Sequence, residues 1–179
     1  MLGRFSVLAV VCLLSQRVPR HRIADAPCVR PTRAATQVQG EVRICAGRYR
    51  ISDRDEQGVI IAAASGTRID LTGVVLESGD SVPNRYVGIG VASRGVDAVT
   101  ITGGAIQGYR FGIRLEGGRG HRISGADLSG SRNQEVLSTP AKPNPADRLN
   151  LTLPDTFQRY GAGILLLHTA AASITGNTA

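Results

Sequence analysis

Four residues have the chemistry to meet a charged or hydroxylated ligand. Arg110, Arg114 and Glu116 lie close together in the chain, and Tyr160 occupies a matching place in a later copy of the same pattern. Guanidinium groups grip carboxylates in a forked geometry. A carboxylate accepts protons or sugar hydroxyls, and an aromatic ring offers a flat face to a sugar. In an extended strand Arg114 and Glu116 project to the same side. One arginine and one carboxylate among apolar neighbours do not build a calcium site, so Glu116 reads as a solvated surface residue before a catalytic one. The flank Arg110, Arg114, Arg119 and Arg122 could attract an acidic glycan, and its plainer reading is solubility.

The other reactive side chains suggest little. Cys12 sits in an N-terminal apolar run, which leaves Cys28 and Cys45, seventeen positions apart. An even pair in an exported chain is a candidate disulfide, and two buried free thiols are the alternative. His21 belongs to the leader. His121, in a Gly-Arg-Gly-His-Arg corner, reads as exposed, and His168 reads as a coil-edge residue. No H-x-x-x-H or C-x-x-C spacing occurs, so no metal and no cofactor is expected. Gly88-Ile-Gly90 lacks the third glycine of a dinucleotide fingerprint.

These side chains need a scaffold, and its type follows from composition and repetition. The chain has 179 residues, 42% hydrophobic, 4% aromatic, 22 glycines and a formal charge of +7. That length suits one domain. The composition excludes collagen-like, disulfide-dense and strongly disordered classes. The longest apolar run is too short to span a bilayer. The basic excess is spread along the chain without a run or interleaved aromatics, so nucleic acid is a poor partner. Arg4 followed by Phe5–Leu14 reads as the start of a secretory signal, with Ala24-Asp25-Ala26 as the cleavage site.

A Gly-Ile-x-apolar tetrad recurs as Gly88-Ile-Gly-Val91, Gly112-Ile-Arg-Leu115 and Gly163-Ile-Leu-Leu166. Each is followed by an isoleucine two residues before a glycine, in Ile101-Thr-Gly103, Ile123-Ser-Gly125 and Ile174-Thr-Gly176. An earlier copy ends at Gly73. The marker glycines are separated by 30, 22 and 51 residues, a period that points to a solenoid. Alternating, β-branched apolar residues make the elements strands, stacked about 4.8 Å apart. Ile89, Ile113 and Ile164 are expected to form one inward column, and Val91, Leu115 and Leu166 the next. Leu71, Ile101, Ile123 and Ile174 line a second wall, with Leu76, Ile106 and Leu128 behind it. Outward columns are Gly90–Arg114–Leu165 and Ala92–Glu116–Leu167. Tyr86, Tyr109 with Phe111, and Tyr160 precede the first strand of each copy as a corner stack, or alternatively as a sugar platform.

Cys28 and Cys45 flanking a first strand, Ile69-Asp-Leu-Thr-Gly73 at the first corner, and the unit Gly163–Asn177 carry a resemblance. From Pro27 to Ala179 the chain is similar to the right-handed parallel β-helix repeat proteins of the pectate-lyase-like superfamily. The nearest pattern is the extracytoplasmic group that includes the periplasmic nitrous-oxide-reductase maturation β-helix proteins. The resemblance implies an all-β, right-handed parallel β-helix of about four to five coils. Its lyases and epimerases imply a carboxylate cluster and a base, and its hydrolases imply paired aspartates; those phrases are missing here.

The expected organisation is a leader over 1–26, a capping segment and first coil over 27–58, and repeats over 59–179. The repeats carry an insertion at 131–159, in which 155–159 could add a helical turn. Ala179 follows Ile174-Thr-Gly-Asn177 without a polar cap, so a fragment truncated at its C-terminus is expected, monomeric unless that open coil pairs. The expected function is an extracytoplasmic protein that binds or processes acidic polysaccharide, with Arg110, Arg114, Glu116 and Tyr160 as candidates for the contact. Any enzyme activity would be lyase-, epimerase- or hydrolase-like. The alternative is a non-catalytic adhesion or maturation module.

Overall fold

A computed structural model describes residues 28–131, 138–145 and 160–179. The expected leader, the helical turn over 155–159 and most of the 131–159 insertion lie outside them. The described chain is all-β with almost no helix: one turn of 3-10 helix at Pro83–Arg85, and single helical residues at Pro145 and Tyr160. No helix among the described residues is long and apolar enough to cross a membrane.

Among the described residues thirteen strands form three sheets. Sheet one holds β1 (Thr36–Val38), β4 (Ile60–Ala62), β7 (Ile89–Arg94), β10 (Phe111–Glu116) and β12 (Ala162–Leu167). Sheet two holds β2 (Glu41–Arg43), β5 (Arg68–Asp70), β8 (Thr100–Thr102), β11 (Arg122–Ser124) and β13 (Ser173–Thr175). Sheet three holds β3 (Gly47–Arg50), β6 (Val74–Glu77) and β9 (Ala105–Gln107), and single parallel bridges carry it on through Asp127 to Thr178. All strand pairs are parallel. The chain visits the sheets in cyclic order, an arrangement compatible with a parallel β-solenoid. Short β-branched segments suit it, because each strand is only one side of a rung and its backbone bonds go to the rungs above and below.

Apolar columns run through the interior. Val42, Ile69, Ile101, Ile123 and Ile174 align across sheet two, where Ile69, Ile101 and Ile123 are buried and Ile174 on the last strand is 48% exposed; Tyr49, Leu76 and Ile106 align across sheet three. Leu71 is buried just past its strand, and Ile69 takes the place expected for it. On sheet one Ile113 pairs with Ile164 as expected, but its other neighbour is Val91, and Ile89 faces Phe111. The register is therefore two residues from the one the glycine-isoleucine tetrads suggest. The physical reason is that the tetrads contain two kinds of glycine, corner and inward, that share one sequence phrase. A Cβ on Gly90 would lie 2.4 Å from Ile106 Cγ2 and 2.7 Å from the Gly112 carbonyl oxygen, and one on Gly112 would lie 2.7 Å from the Gly163 carbonyl oxygen. Gly90, Gly112 and Gly163 thus share a crowded inward position. Gly88 and Gly161 are corner residues with φ of 78° and 70°.

The outward columns shift with the register, to Ala92–Arg114–Leu165 and Arg94–Glu116–Leu167. Ile89, Ala92, Phe111 and Leu165 form a second buried apolar cluster, with Ala162 and Leu167 packed against it. Sheet one is thus apolar on both faces, as parallel sheets commonly are.

The corners differ in kind. The sheet-one-to-sheet-two corner has two residues in the first rung, 39–40, and five in each later one, at 63–67, 95–99, 117–121 and 168–172. The fifth positions Thr67, Val99 and His121 are all fully buried, so His121 is a core residue and not the exposed corner side chain its neighbours suggest. The sheet-three-to-sheet-one corner varies, with 51–59, 78–88 and 108–110 in successive rungs. Cys28 and Cys45 are joined in a disulfide, which pins the segment whose Val29 bridges Ile44 at the N-terminal end of the stack.

Candidate functional site

The outward face of sheet one and the corner leading into it hold the densest group of charged side chains facing an apolar bed. Its geometry begins with a buried carboxylate. Asp53 is 1% exposed; its Oδ1 accepts from the Gln57 amide at 3.1 Å, and its Oδ2 from the amides of Gly58 and Ile89, both at 2.9 Å. Three charge-assisted bonds offset the cost of burying the charge and tie the 53–58 loop to the start of β7.

That loop delivers Glu56 to the arginines. Glu56 takes Arg110 Nη1 at 2.9 Å, and its backbone carbonyl accepts from Arg94 Nη2 at 3.0 Å. Arg94 Nη1 also reaches Gln57 Oε1 at 3.3 Å. One rung on, Glu116 Oε2 lies 3.2 Å from Arg114 Nη2 and 3.9 Å from Arg94 Nε. The Arg114 guanidinium stands over the Phe111 ring, 5.8 Å from its centroid, a cation–π contact. Three arginines therefore share two glutamates. Arg110 and Arg114 are half-buried, and the Nε of each is sealed from water without a hydrogen-bond partner.

Tyr109 fixes the same corner from inside. It is fully buried, and its hydroxyl donates to the Ile51 carbonyl at 2.7 Å. Burial first, and the Asp53 carboxylate second, push its ionisation far above the usual phenol range, so it remains a donor.

The structure brings Arg110, Arg114 and Glu116 onto one face. Tyr160 is half-buried on the neighbouring rung, two residues before Ala162, whose amide donates to the Arg110 carbonyl. Glu56, Arg94 and Asp53 complete the arrangement, and nothing in the local sequence marks them: they arrive from other rungs, Arg94 about twenty positions before Arg114 and Asp53 and Glu56 about sixty. His121 lies in the interior, with Nε2 donating to the Gly117 carbonyl at 3.0 Å and Nδ1 without a partner. Among the described residues no group of three or more His, Cys, Asp or Glu side chains is placed to hold a metal ion. What the face offers is fixed cationic donors over an apolar bed, suited to holding an anion. No family model, curated protein or solved structure matches the chain.

Proposed function

We propose that this protein is an extracytoplasmic right-handed parallel β-helix of the pectate-lyase-like kind, and that it binds an acidic polysaccharide along the outward face of sheet one. The observation that carries the reading is the surplus of positive charge on this face, where Arg94, Arg110 and Arg114 share only Glu56 and Glu116. A uronate carboxylate meeting the outer guanidinium nitrogens would balance that surplus with charge-assisted hydrogen bonds. The apolar surface of Phe111 beside Arg114 suits the C–H face of a sugar ring. The Cys28–Cys45 bond favours an oxidising compartment, where such glycans are found.

Affinity electrophoresis in gels containing polygalacturonate tests this. The wild-type protein is expected to be retarded, and Arg114→Ala to bind about tenfold more weakly, the loss expected for one charge-assisted contact. Retardation of Arg114→Ala and Arg110→Ala equal to wild type refutes it. An unsaturated-uronate absorbance assay on the same samples separates binding from cleavage.

A further inference from the structure

We propose that a second, separate site takes a neutral sugar ring, in a groove beside the 78–88 loop. Here the sheet-three-to-sheet-one corner is long in one rung and only three residues, 108–110, in the next. The step leaves a cavity of about 350 Å³ lined by Arg50, Glu77, Asp80, Tyr86 and Gln107. It shares Arg50, Gly79 and Asp80 with an adjoining hollow of about 630 Å³ that adds Arg54 and Val87. Together they form a trough within the size range of ligand sites.

The walls are preformed. Ser78 Oγ donates to the Gly108 carbonyl, and its amide to the Gln107 carbonyl at 3.2 Å. The Asp80 amide donates to Ser78 Oγ at 3.2 Å. The Tyr86 amide closes the 3-10 turn onto the Pro83 carbonyl at 3.1 Å. At the floor, Glu77 Oε1 accepts from Gln107 Nε2 at 2.6 Å and from Arg48 Nη1. A loop already ordered by these bonds loses little further entropy on binding.

The charge pattern selects the ligand. Arg50 and Asp80 line both hollows, Glu77 the first and Arg54 the second, so charges of both signs border the trough. An anion would meet two carboxylates, and a cation two guanidinium groups. A sugar hydroxyl both donates and accepts, so it can satisfy both signs at once. Tyr86 supplies the one aromatic side chain of the lining, as a surface for the ring. The sheet-one face, by contrast, presents three arginines to two glutamates. The two sites therefore differ in the class of sugar they select, and this one does not depend on the reading of the other.

Calorimetric titration of the full chain with β-1,4-linked hexamers of glucose, galactose and mannose tests the proposal, with oligogalacturonate titrated in parallel. Saturable binding of at least one neutral hexamer is expected, weakened about tenfold by Tyr86→Ala and by Asp80→Asn and unchanged by Arg114→Ala. Both test positions are at the surface or partly exposed, and circular dichroism verifies folding. No saturable binding of any of the three hexamers overturns the proposal, as does binding that neither variant weakens. Oligogalacturonate binding that is lost in Arg114→Ala while neutral binding is absent refutes this site alone; the reverse pattern refutes only the sheet-one reading.

Discussion

Replacing Asp53 by asparagine removes one charge and one acceptor from a site that accommodates neither loss. The best the amide can do is place its oxygen where Oδ2 now accepts from Gly58 and Ile89. Its NH₂ group then faces the Gln57 N–H, donor against donor, where Oδ1 accepts now. A hydrogen bond to a charged group contributes about 1.5–3 kcal/mol, and a neutral one about 1 kcal/mol. Losing one charged bond and weakening two others comes to roughly 3–4 kcal/mol. Relief of the carboxylate's desolvation offsets part of this, so the expected net loss is about 3 kcal/mol. Urea unfolding followed by far-UV circular dichroism measures it, with exposed Asp55→Asn as a control expected to change little. Hydrogen exchange at the Gly58 and Ile89 amides should speed up by about a hundredfold, the same free energy read locally. A loss below about 1 kcal/mol with unchanged exchange would show that the carboxylate is not what anchors the 53–58 loop. The claim that this loop sets Glu56 against Arg110 would then fall with it.

Three other outcomes are expected. Ser93 is buried in the column between Ala62 and Leu115, and its hydroxyl has no partner; Ser93→Ala should stabilise by about 1 kcal/mol in urea titrations, and a loss would mean that the hydroxyl is bonded. Reducing Cys28–Cys45, whose sequence separation is 17, should cost about 3 kcal/mol by the loop-closure argument, seen as a lower urea midpoint with reductant. The Asp127 carboxyl is held below the usual aspartate range by the Ser129 hydroxyl and then its amide, so its contribution is present above the unfolded pKa and lost as pH falls through the folded one; Ser129→Ala should raise the Asp127 pKa in an NMR titration, and an unchanged value contradicts the assignment.

The repeated glycine-isoleucine phrases made parallel strands and stacked columns legible, because alternation and punctuation are local signals. The register of sheet one was not legible, because Gly88 and Gly112 look alike in sequence while one turns a corner and the other fits beneath Leu128. His121 escaped for a similar reason. Its equivalents Thr67 and Val99 share burial but no residue type, so only the five-residue corner length identifies the inward place. Alternation alone places Arg114 and Glu116 outward, as they are. The apolar bed beneath them is not legible, because the tetrad register puts Ile89 in the interior and Leu165 in an exposed column. Asp53 had no signal at all, since its Ile89 partner comes from the next rung.

The irregular spacing of the repeats has a single structural origin. Between the marker glycines at 73 and 103 lies the 78–88 corner, and between those at 103 and 125 lies the 108–110 corner. The first is eight residues longer than the second, and the two spacings, 30 and 22, differ by the same amount. All of the extra length therefore enters at the corner from sheet three to sheet one. The corner from sheet one to sheet two keeps five residues in every rung after the first: a Cβ on Gly118 would lie 2.0 Å from the Val96 carbonyl oxygen of the rung below, so these successive arches nest closely. A stack of rungs needs at least some corners fixed in this way, or its columns lose alignment. Length can vary only where the arches do not nest, and binding surfaces gather where length varies. The arginine face and the groove beside the 78–88 loop both border that one permissive corner, which makes it the part of the fold where substitutions should change binding before they change stability.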